Sequence, residues 1–247
     1  VIYDLAPDQL RASIVFAPDV KLSEAAAMLP ICGVGLQNAL GVLAPPEVGI
    51  DVGWDGTIYV NGGRCGALRM AASGTPEAEP DWLVVDLTLT LWPGSDETGL
   101  TPDETALYAE GCAEVDAVTL LEAWVRHTLV GINAWADAGT ANLHREWAGL
   151  AHGLEGHMTV AGKTGAYVGL EENLGLLLKI DAETVLIPLT ANLTRPARYL
   201  PAPSFLTKVT NEFSQSRPLS RVVHYRRIRV FDLGRRRPCR HCTPWVL

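Results

Sequence analysis

Apolar positions recur along this chain with two periods. Residues 12–16, Ala-Ser-Ile-Val-Phe, form a short apolar run stopped by Pro18 and predict a strand. Ser23, Glu24 and an Ala-rich run open a helix that extends towards Val42, with Pro30 and Gly33 placed to bend or interrupt it and Pro45-Pro46 closing it. Residues 48–52, 57–60 and 65–71 predict three strands. Asn61-Gly62-Gly63 predicts a hairpin turn, because Asn and Gly tolerate positive φ. After a loop at 76–80, residues 82–91 read as a long strand, with Leu87, Leu89 and Leu91 on one face and Thr88 and Thr90 on the other.

Residues 93–116 are acidic and irregular. Residues 117–138 predict a long helix with Leu121, Trp124, Val125, Leu129, Ile132 and Trp135 on one face and Gly139 ending it. A short helix follows over 142–150, pairing Leu143 with Trp147 at i, i+4. The pattern then switches to short strands at 164–170, 174–180 and 184–189, joined by tight turns at 171–173 and 181–183, which suggests a small barrel. The reading is therefore α/β: a mixed sheet backed by helices over 1–148, a small β-barrel over 156–192, and a tail over 193–247.

Composition adds a charge asymmetry. The tail carries twelve Lys/Arg against two acids, +10, whereas the preceding 192 residues carry eight bases against twenty-six acids, −18. An acidic body repels phosphates, so nucleic acid is not an expected partner. The tail, rich in proline and poor in apolar residues, is expected to be poorly ordered and to rest on the body at low salt. No uninterrupted apolar run reaches the roughly 18 residues of a membrane span, no secretory leader is visible, and a natural N-terminus upstream of Val1 is expected. Five scattered cysteines fit reduced thiols in a cytoplasm.

The stretch Gly53-Trp54-Asp55-Gly56-Thr57-Ile58-Tyr59-Val60-Asn61-Gly62-Gly63-Arg64-Cys65-Gly66-Ala67-Leu68 resembles the central signature of biotin protein ligases, a Lys-Trp-Pro-Asn-Asp-Ile strand leading into a Val-Asn-Gly hairpin and a Gly-Ile/Leu strand. The order of elements upstream and downstream is similar too, and Gly165–Leu170 with Gly175–Leu178 resembles the SH3-like domain that follows in that family. The likeness covers about 5–192 and implies a class II synthetase/biotin ligase-like fold. It further implies biotin or lipoate and ATP as ligands if the chain is active, a biotin or lipoyl carrier protein as partner, and room for a homo-oligomer. By resemblance Trp54, Gly66 and Ala67 would bind the ligand.

Departures from the family pattern bear on activity. Gly53 stands where the family has its Lys, which stabilises charge on the acyl and phosphate oxygens. Asp55, Gly56 and Thr57 replace Pro-Asn-Asp, and the family's Gly/Arg-rich phosphate loop would lie before Leu5. Two functions follow: a ligase working through an acyl-adenylate, or a catalytically degenerate relative that binds a small acyl ligand or a carrier or partner protein.

Other chemistry-bearing residues have two readings each. Trp54 lines a pocket or is core. Asp51 and Asp55 are a carboxylate pair or solvated turn residues. Asp86, inside an apolar strand, is buried with a partner or faces water. Lys163 replaces the missing Lys or lies on the surface. His127, His144, His152 and His157 show no ligand pattern over helix and loop. Cys239 and Cys242, with His241 between them, are half a zinc site or part of an exposed tail.

Overall fold

A computed structural model describes residues 2–5, 8–94, 101–154 and 156–194. From Arg195 onwards the expected tail, including Cys239 and Cys242, lies outside the described residues. The main layer is a seven-stranded sheet with strand order β1-β2-β6-β5-β4-β3-β7. Its strands are β1 (Ile2–Leu5), β2 (Gln9–Phe16), β3 (Ile50–Gly53), β4 (Thr57–Val60), β5 (Gly63–Ala72), β6 (Leu83–Thr90) and β7 (Ala151–His152). All neighbours are antiparallel except β3 and β7, so the sheet is mixed.

Side chains of successive strand residues point to opposite faces. On β6 this sends Leu83, Val85, Leu87 and Leu89 into the core, joined by Leu10, Ala12 and Ile14 of β2 and by Leu68 and Met70 of β5. Helices α2 (Met28–Leu43), α3 (Ala117–Ala138) and α4 (Ala141–Leu150) cover that side. Residues 22–43 are long and apolar enough to span a membrane by length and composition, yet most of that stretch is buried inside the protein, as a core helix must be.

The helix expected from Ser23 breaks at Ala26 and Ala27, leaving α1 (Leu22–Ala25) and α2, rather than at Pro30 or Gly33. Pro30 falls in the first turn of α2, where its missing N–H would have had no helical partner. Gly33 and Gly35 let neighbours approach: a Cβ on Gly33 would lie 2.7 Å from the Trp147 ring, and one on Gly35 2.6 Å from the Thr128 hydroxyl. The fully buried Trp124 donates its indole N–H to the Cys32 carbonyl at 2.9 Å, tying α3 to α2.

On α3 the buried stripe is Leu120, Leu121, Trp124, Thr128 and Ile132, while Leu129 is 40% exposed. Leu129 is one residue, about 100° of rotation, off the 124–128–132 line, and Thr128 holds the core place, packed closely against Gly35 of α2. Asp116 caps α3, accepting from the Thr119 backbone N–H and hydroxyl, each at 2.8 Å. Those bonds hold the exposed carboxyl below its ordinary value. A lowered folded-state pKa means the cap's contribution is present above the unfolded value, about 3.9, and fades as pH falls through the folded one. Amide protection in the first turn of α3 should therefore drop in acid in the wild type. In Asp116→Asn, which caps without titrating, it should stay constant; equal acid sensitivity in both would contradict this.

Three strands escape sequence reading: β1, the two-residue β7, and β8 (His157–Val160), each too short to show a period. His152 and His157 therefore sit on strands, not in a loop. The strand expected at 48–52 begins at Ile50, and Gly49 N–H instead donates to Asn61 Oδ1 at 2.9 Å. Asn61 and Gly62, at φ 49° and 85°, form the predicted hairpin turn. Over 101–116 the chain is more ordered than its composition suggests: Ala106, Leu107, Cys112 and Val115 are buried, and residues 108–112 turn through a kink at Glu110 and Gly111.

The small β domain expected after the helices is a four-stranded antiparallel sheet, β11-β10-β9-β8, with β9 (Lys163–Leu170), β10 (Leu176–Ile180) and β11 (Glu183–Ile187). Its Leu174, Leu176, Leu178, Ile187 and Leu189 join the core of the larger sheet. Beyond β11 the chain returns to β5: Leu193 bridges Met70, and Thr194 donates both its N–H and its hydroxyl to the Met70 carbonyl.

Candidate functional site

The face of the large sheet opposite the helices is polar. Alternation puts Asp51 and Gly53 of β3, Thr57 and Tyr59 of β4, Ala67 and Arg69 of β5, and Asp86, Thr88 and Thr90 of β6 on it. A cavity of about 540 Å³ lies against this face, within the size range of small-molecule sites. It is lined by Thr57, Arg64, Cys65, Gly66, Ala67, Arg69, Thr88 and Thr90 from the sheet, by Pro93 and Gly94, and by Thr101, Glu104 and Thr105 of the 101–105 stretch.

Hydrogen bonds hold that stretch in place. Arg64 N–H donates to the Asp103 carbonyl and Thr105 N–H to the Arg64 carbonyl. The Glu110 carboxylate accepts from Asn61 Nδ2 at 2.8 Å and from the Thr105 hydroxyl at 2.5 Å. Glu104 forms an ion pair with the Arg64 guanidinium. On the floor, the β4–β5 register slips between Ile58 and Tyr59, which places Cys65 as an extra residue of β5. Burial pushes the Cys65 thiol up to about 12, with Cys112 and Glu110 adding to the effect, so it stays protonated at neutral pH.

Gly66, Ala67 and Thr57 line the cavity; Trp54, Gly53, Asp55 and Gly56 do not. Trp54 is 4% exposed and donates its indole N–H to the Leu174 carbonyl at 2.9 Å, while its own carbonyl accepts from Asn192 Nδ2 at 3.0 Å. It fastens the small sheet to the large one. Asp55 Oδ1 accepts from Thr57 N–H at 3.0 Å, a local turn contact. Gly56, at φ +85°, has the Leu68 carbonyl oxygen 2.5 Å from where a Cβ would be, so only glycine fits.

The remaining candidates disperse. Asp51 lies 3.7 Å from His152 Nδ1, and His152 stacks on Tyr59 with ring centroids 4.0 Å apart. Burial, with Asp55 adding, raises the Tyr59 hydroxyl pKa. Asp86 faces water and accepts the Ser13 hydroxyl at 2.5 Å. Lys163 is exposed at the start of β9. His144 Nε2 bonds the Leu170 carbonyl at 3.2 Å, and His127 borders a gap between the helices. Among the described residues no group of three His, Cys, Asp or Glu is placed to hold a metal. Sequence reading missed Arg69, Thr88 and Thr90 as lining residues; their signal was the polar half of the alternation on β5 and β6.

A mixed sheet with helices on one face, a cavity on the other and a small β unit after it is a biotin ligase-like fold. Residues 1–149 match the biotin/lipoate A/B protein ligase family, and the chain belongs to that family. Residues 155–195 match a domain of unknown function (DUF4444). The chain is 54% identical to a biotin protein ligase-like protein of unknown function from Silicibacter sp. TM1040, with a TM-score of 0.73 over 78% of this chain and 84% of that one. It shares its fold with the biotin protein ligase of Aquifex aeolicus, at 16% identity, TM-score 0.61, and coverage of 73% and 80%. That enzyme's structure with biotin and ATP superposes with a TM-score of 0.59, at 16% identity over 77% of this chain and 79% of that one. No curated protein sequence matches the chain.

Proposed function

We propose that this protein is a catalytically degenerate member of its family that binds a small acyl ligand in the sheet-face cavity, or receives a carrier or partner protein there, without forming an acyl-adenylate. The observation that carries the reading is the charge of the cavity. Among the described residues that line it there are two guanidiniums: Arg64 is paired with Glu104, and Arg69 has no carboxylate within ion-pair distance. Gly53 contributes no side chain, and the nearest atom to a Cβ there would be an Asp55 carboxylate oxygen. Adenylation develops charge on several oxygens and needs several positive or N–H donors converging on them. We assign Gly66 and Ala67 to the ligand floor and Trp54 to the seam between a ligase-like domain and a small β domain. The three described cysteines are free and buried, which suits a reducing cytoplasm.

The second reading, an active ligase attaching biotin or lipoate to a carrier lysine, is favoured by family membership itself. Pyrophosphate exchange separates the two. Each lost donor costs on the order of 10²–10³ in rate, so exchange with biotin or lipoate should stay at background. Gly53→Lys alone should not restore it, because one cation does not make a phosphate site. Clear exchange by the unaltered chain would overturn the degenerate reading.

A further inference from the structure

The two guanidiniums of the cavity are not equivalent. Arg64 is occupied by Glu104. Arg69 projects from β5 into the cavity, and among the described residues no carboxylate lies within ion-pair distance of it. Its register partner on β6 is Asp86, but that carboxylate accepts the Ser13 hydroxyl from β2 and does not line the cavity. Beside Arg69 the floor is neutral: Gly66, Ala67 and the hydroxyls of Thr88 and Thr90.

We propose that Arg69 anchors the carboxylate of the cavity's ligand, so that the site takes a small organic acid as the free acid, its uncharged body lying over Ala67 and Thr88. The proposal rests on the reading of the cavity as an acyl-ligand site and names the group that this site recognises. A guanidinium presents a planar fork that matches a carboxylate with two parallel hydrogen bonds. A monoanion satisfies Arg69, the unpaired cation among the described lining residues. A polyphosphate would bring further negative charge towards Glu104 and Asp86 within a body already at −18.

The test compares acids with their neutral amides: biotin against biotinamide and lipoate against lipoamide, titrated into the full chain and into Arg69→Gln, Arg69→Lys and Arg64→Gln. Loss of a charge-assisted hydrogen-bonded pair should weaken the acids by about 10- to 100-fold in Arg69→Gln. The amides should change less than about twofold, since they carry no charge for Arg69 to hold. Arg69→Lys should recover part of the acid affinity, and Arg64→Gln should cost the acids less than Arg69→Gln. If acids and amides weaken alike, or Arg64→Gln causes the larger loss, the anchor is wrong and the acyl site stands. If the unaltered chain binds neither acid nor amide, both the anchor and the acyl-ligand reading fall.

Discussion

Trp54→Ala should destabilise the protein by about 3–5 kcal/mol and release the small β domain from the large sheet. The size follows from truncating a nearly fully buried indole, which removes its contacts and leaves a cavity. A second loss adds to it. The indole N–H bonds the carbonyl of Leu174, a buried residue held at φ 66°, and without the indole that carbonyl loses its partner. Trp54→Phe keeps most of the bulk and isolates the hydrogen bond, so it should cost only about 1–2 kcal/mol. Urea unfolding gives both values. Proteolysis between α4 and β8 should be faster in Trp54→Ala than expected from global unfolding alone. A cost below about 1 kcal/mol for Trp54→Ala, with unchanged proteolysis, would show that Trp54 is not the fastener.

Gly66→Ala, a change of one methyl group, should cost about 3 kcal/mol, near the top of the range for overpacking. A Cβ at Gly66 would collide with the Thr88 carbonyl oxygen and crowd the Leu89 Cα, both backbone atoms of β6. A side chain could rotate away; a paired strand must move as a unit. The same strand lines the cavity through Thr88 and Thr90, so the displacement should also reduce ligand affinity. Gly41→Ala is the control. Gly41 lies in α2 with open space, nothing within 4 Å, where a Cβ would stand, and alanine there should stabilise by up to about 1 kcal/mol through helix propensity. Thermal melts of the two variants should move in opposite directions, and similar shifts would refute the collision.

Much of the scaffold was legible because long elements repeat their period often enough to be read. Residues 82–91 and 117–138 did so, and both elements stand where expected within a residue or two. The hairpin at Asn61-Gly62 was legible for a different reason, since few residues accept two consecutive positive φ angles. What failed was short or depended on distant partners. β7 is two residues long, and only its parallel pairing with β3 makes it a strand. Pro30 looked like a breaker because its place in the first turn depends on where the helix starts, and Ala26–Ala27 gave no sign of a boundary. Gly66 and Ala67, expected through the resemblance to bind the ligand, line the cavity. Arg69 was not legible, because its importance comes from Arg64 being paired with Glu104, forty residues further along the chain. Trp54 was read as pocket or core, and its link to Leu174, 120 residues away, could not be seen in a strand pattern.

The division of charge across the cavity leads to one decisive measurement: native mass spectrometry of the full chain incubated with biotin or lipoate, ATP and magnesium. A degenerate acyl-binding protein should give a complex whose added mass is that of the free acid, unchanged by ATP, with no acyl-adenylate on the protein or in solution. An added mass equal to biotinyl- or lipoyl-adenylate, appearing only when ATP is present, would contradict that reading.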